Sequence, residues 1–69
     1  MRFSCSFQHP ATGEHRTVPV ALTAEQVKSV EAGGADATVL AMAYALNHAY
    51  REVPHGFLHT KPPELIHLS

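Results

Sequence analysis

Six histidines in a chain of 69 residues are the chemical oddity of this sequence. Neutral imidazole is a common ligand for zinc, copper and nickel. His55 and His59 stand four residues apart, with Glu64 and His67 further on. The candidate metal site is therefore His55, His59 and His67, with Glu64 as a further donor. The spacing argues against one ion. Residues four apart share a helix face, but Pro54 and Gly56 oppose a helix there. In a strand the same spacing separates Cβ atoms by roughly 13 Å. Neither HExxH nor paired CxxC spacing occurs. The plainer reading is a set of imidazoles that hydrogen-bond locally. Proton sensing is a second use, since protonating all six would move the formal charge from −1 to +5. That change would fall in mildly acidic solution. Exposed histidines also titrate without consequence, and that is the expectation here.

Cys5 is the only cysteine, which excludes a disulfide within the chain. A thiol beside a base can be a nucleophile. Cys5, however, falls between Phe3 and Phe7 on an alternating apolar face, where a thiol without a cationic neighbour is inert. Ser4 and Ser6 belong to no nucleophile elbow. Glu25 and Glu31 each lie three residues from Lys28, the pattern of a solvated helix face. Gly33-Gly34 is not part of a phosphate-binding loop. No catalytic constellation can be assembled, so no enzyme activity and no cofactor are expected.

The elements that would hold these residues are legible in the patterning. Arg2 to Gln8 alternates, with Phe3, Cys5 and Phe7 on one face. Arg16 to Leu22 alternates too, with Val18, Val20 and Leu22 together. Between them, Pro10 suits the start of a turn and Gly13 a left-handed residue at its end. A four-residue loop closed by His9 and Glu14 sets Cys5 opposite Val18 and Phe3 opposite Val20. Apolar residues of both strands then share a face. Phe7 falls opposite Arg16, whose stem can cover the ring. Pro19 cannot donate to a ladder, so the second strand is an edge, and further strands must add beside the first.

Thr23 and Gln26 have the spacing of a capping box, and Leu22 and Val27 that of a hydrophobic staple. A short helix from Ala24 to about Ala32 follows, with Val27 and Val30 inward, ended by Gly33-Gly34. Asp36 then caps a helix from Ala37 to about Glu52, stopped by Pro54. Its core stripe is expected to be Val39, Ala43, Leu46, Tyr50 and Val53. Leu65 to Leu68 could form a third strand beside the first. The expected fold is α+β and a single domain over residues 1–69: an N-terminal β-hairpin with two helices packed on one face and a short C-terminal strand, in the order β-β-α-α-β.

Two features point to association. Ala37, Ala41, Ala45 and Ala49 stand four apart and line one side of the long helix. Small side chains let another backbone come close. With the Val39–Val53 stripe, they give this helix two apolar sides, more than so short a chain is expected to cover. The alanine row is thus the expected interface, unless it packs on the chain's own sheet or short helix. The outward face of the hairpin (Ser4, Ser6, Thr17, Pro19, Ala21) is also poor in charge. Small domains commonly need a staple, and a partner subunit is one.

Composition narrows the function classes. Hydrophobic residues make up 45% of the chain and charged residues 16%, which suits a folded domain rather than a disordered one. Net charge is −1 without a basic run, so neither nucleic acid nor an anionic membrane is an expected partner. The N-terminus alternates and lacks the apolar run of a signal peptide. A cytoplasmic protein is expected. The leading expectation is a non-enzymatic protein–protein interaction module, homodimeric by preference. The alternative is a histidine-mediated metal-binding or small-molecule-binding protein.

Overall fold

The computed structural model describes residues 1–67, and of His67 the backbone. Strand β1 (Arg2–Gln8) and strand β2 (His15–Ala21) form an antiparallel hairpin. Helix α1 spans Ala24–Ala32 and helix α2 spans Ala37–Glu52. Two short strands follow, β3 (Leu58–His59) and β4 (Glu64–His67). Both pair antiparallel with β1 on the side away from β2, so β1 is central. The fold is α+β, with a four-stranded sheet and two helices.

The hairpin forms in the register its sequence demands. Cys5 faces Val18, Phe3 faces Val20 and Phe7 faces Arg16. His9 N–H donates to the Glu14 carbonyl over 2.9 Å, and Gly13 N–H to the His9 carbonyl over 2.7 Å. Gly13 has φ 75°, which a side chain would resist. At the far end of the ladder Leu22 N–H donates to the Met1 carbonyl. Hydrogen-bonded pairs alternate between these two closures, which leaves Ser4–Pro19 a non-bonded pair. The missing N–H of Pro19 therefore faces the free edge of β2, where it costs no ladder bond.

Helix α1 begins with both halves of the capping box. Thr23 accepts from Gln26 N–H at 3.1 Å, and the Gln26 side chain accepts from Thr23 N–H at 3.0 Å. Leu22 and Val30 are buried, and Val27 packs against the core. One expectation fails between the helices. Asp36 makes no side-chain cap bond, because a 3-10 turn over Gly34–Asp36 leads straight into α2. The C-terminal segment also differs from the single strand expected. It pairs in two pieces, and β4 carries a bulge between its contacts with Arg2 and Phe3. Leu68, expected in that strand, lies outside the described residues.

The face of α2 that meets the sheet is the alanine row. Ala41, Ala45 and Ala49 are buried, with Ala45 at 0% exposure, and Ala37 is partly covered. The expected core stripe points elsewhere: Val39 is 69% exposed, and Ala43 and Tyr50 are exposed as well. The physical reason is volume. Phe3 and Phe7 stand up from β1, and only alanines on the helix leave them room. The alanine row is thus covered by the chain's own sheet, and the interface expected at Ala37, Ala41, Ala45 and Ala49 is corrected on this ground.

Candidate functional site

The sheet is wider than the helical layer on it. Helix α2 packs over β1 and β2, and α1 packs against α2. Among the described residues, neither helix backbone lies over β3 or β4. Leu65 pairs with Phe3 and so shares the helix-bearing face, yet it is 45% exposed. A strip of apolar surface therefore stays open between α2 and the C-terminal strands.

Two linked hollows run along this strip. The larger, about 420 Å³, has Met42 and Leu46 of α2 on one side and His59 to Pro63 on the other. The smaller, about 150 Å³, continues past Met42 and Pro63 to Phe3, Val30 and Leu65. Along the rim stands Val39. Only His59, Thr60 and Lys61 bring polar groups to the larger hollow, and Lys61 lies 3.6 Å from the Glu64 carboxylate.

The histidines serve the fold individually. His59 is clamped by Tyr50: its backbone N–H donates to the Tyr50 hydroxyl at 3.1 Å, and that hydroxyl lies 2.7 Å from Nδ1. The hydroxyl has one proton and already accepts the amide, so donating to Nδ1 completes its bonding and leaves the imidazole proton on Nε2. His48 Nε2 lies 3.0 Å from the Gln26 side-chain oxygen. That oxygen can only accept, so His48 donates and ties α2 to the capping box of α1. His9 Nδ1 accepts from Ala11 N–H at 3.2 Å, inside the hairpin loop.

No cluster for a metal emerges from these placements. His55 is exposed, and His59 is engaged with Tyr50. The His67 side chain, the third member of the expected site, lies outside the described residues. Among the described residues no three His, Cys, Asp or Glu side chains come together as a metal would need. The nearest arrangement is His48 with Glu52, one turn apart beside the edge of β2.

Cys5 is 1% exposed, and burial pushes its thiol up from the ordinary value. Its sulfur faces the Ala45 carbonyl at 4.0 Å. It is a packed thiol without the thiolate character that nucleophilic attack requires. No helix among the described residues is long and apolar enough to cross a membrane.

Sequence reasoning missed Phe57. It is buried, with the His9 ring edge-on at 5.2 Å and the Arg16 guanidinium 5.2 Å above its face. Arg16 was expected over Phe7, but Tyr50 meets Phe7 instead, edge-on at 4.9 Å. Phe57 belongs to no periodic run, so the signal available was only that a lone aromatic between Gly56 and Leu58 needs a cover. Compared with known protein families, curated proteins and solved structures, the chain matches none.

Proposed function

We propose that this chain is a non-enzymatic protein-interaction module that works through the open apolar flank of α2. The observation that supports this most directly is Val39. It stands 69% exposed in mid-helix surroundings without charge, beside Leu65 at 45%. From Ala37 to Tyr50 the helix carries no Asp, Glu, Lys or Arg. A solvated helix face ordinarily carries such residues, and contiguous apolar surface marks an interaction site. The protonated, packed Cys5 and the structurally engaged histidines support the non-enzymatic part of the reading.

A photo-crosslinking amino acid at position 39 tests it in the cells that make the protein. An adduct with another polypeptide chain is expected from position 39 and not from position 28 on the exposed face of α1. Equal labelling at both positions, or none, would sink the reading.

Small-molecule binding is a second reading, supported by the 420 Å³ hollow beside His59 and Lys61. Its size lies within the range of ligand pockets. Titration with octanoate and with octanamide, followed by amide NMR shifts, separates the two. Saturable shifts at residues 59–63 with octanoate alone support it, and their absence removes it.

A further inference from the structure

The spacing of the open flank specifies what covers it. Val39, Ala43, Leu46 and Tyr50 follow at intervals of four, three and four residues. That is the seam by which one helix packs lengthwise along another. In the folded chain none of the four is fully buried: Val39, Ala43 and Tyr50 are exposed and Leu46 is half-buried. Among the described residues the other α-helix is α1, and it already packs against α2, with Leu40 and Tyr44 packed beside the core on that side. A helix for this seam must come from another chain.

We propose that the occupant is α2 of a second copy, running antiparallel to the first. This rests on the interaction reading above and names its partner. In the antiparallel arrangement Val39 meets Tyr50 of the second copy, and Ala43 meets Leu46 of the second copy. Each layer then joins a smaller side chain to a larger one, so all layers fill evenly. Parallel pairing would set Ala43 on Ala43 and Tyr50 on Tyr50, leaving a gap beside a crowded layer.

Charge agrees with the same arrangement. Nothing ionised lies on the seam, so no charge loses its water on association. Antiparallel packing also sets the first turn of one helix, with Asp36, alongside the last turn of the other, with Arg51. The helix dipoles then oppose each other favourably. The contact is isologous, so it closes at two subunits and leaves no face for further growth.

Two single-cysteine variants test the geometry, Ala43→Cys and Leu46→Cys, each oxidised alone and in an equal mixture. The buried Cys5 leaves the parent protein as the uncrosslinked control. The mixture is expected to give the 43–46 heterodisulfide in excess of its statistical share. Dominant homodisulfides at both positions would overturn the antiparallel arrangement. The Val39→Glu variant supplies an independent readout, because an exposed residue can change without unfolding the chain. Sedimentation mass should fall from dimer for the parent to monomer for this variant. A monomeric parent at millimolar concentration overturns the self-pairing. If position 39 still crosslinks to a different polypeptide, the interaction reading stands while this inference falls.

Discussion

The thiol of Cys5 on β1 lies 4.0 Å from the main-chain carbonyl of Ala45 on α2. A side chain of the sheet thus touches the backbone of the helix. That approach is possible because position 45 carries only a methyl group, and it draws Ala41 and Ala49 inward as well. The rotation of α2 follows from this contact. Once the alanines face the sheet, Val39 and Ala43 turn outward.

Ala45→Leu should therefore destabilise the fold by about 1–3 kcal/mol, the usual cost of overpacking a filled core. Ala43→Leu, two residues away on the exposed side, should change it by no more than about 0.5 kcal/mol. Urea denaturation of the two variants checks the orientation of α2. Equal losses at both positions would contradict it.

Cys5 should resist thiol reagents in the native protein and react freely once urea unfolds it. Burial holds its ionisation above the ordinary value of 9.0. Stability has a sign here. Above that ordinary value the unfolded thiol ionises while the folded one stays protonated, so folding stability should fall as pH rises further. A pH series of urea midpoints, compared between the parent and Cys5→Ala, isolates the contribution.

Gly56 adopts φ 103°, and a Cβ there would lie 2.7 Å from His9 Nε2. Gly56→Ala should cost about 1–3 kcal/mol in backbone strain. It should also displace the His9 ring from Phe57, visible as a shift of the His9 ring signals by NMR. Unchanged signals would show that the contact does not hold the loop.

Tyr50→Phe removes the hydroxyl that holds both the backbone and the ring of His59. The loss should be about 0.5–1.5 kcal/mol, since both groups can turn to water. Amide hydrogen exchange at His59 should speed up while exchange in the hairpin ladder stays unchanged.

The hairpin was legible because three signals agreed on one register: a period of two, a turn with Pro10 and Gly13, and an edge proline at Pro19. The start of α1 was legible because Thr23 and Gln26 act within one turn, independent of tertiary contacts. The rotation of α2 was not. Both of its sides are apolar, and periodicity cannot say which one meets the sheet. The choice rests on Phe3 and Phe7, distant in sequence, whose bulk admits only alanine. β3 and β4 were obscure for a similar reason, since each pairs with β1 over a few residues and neither alternates long enough to signal a strand.

The candidate site shared that fate. The sequence showed an α2 with two apolar sides and little protein to cover both. It did not show that the uncovered side would be Val39, Ala43, Leu46 and Tyr50 rather than the alanine row. The histidine spacing misled in the opposite direction. His55 and His59 are four apart in sequence, but His59 is taken by Tyr50, nine residues before it.

The most direct test of the open flank as the working face is an amide NMR dilution series of the parent protein. Concentration-dependent shifts should appear at Val39, Ala43 and Leu46 and be absent in Val39→Glu. Shifts confined to the outer sheet face around Ser4, Ser6 and Thr17, or no shifts up to millimolar protein, would contradict association through this flank.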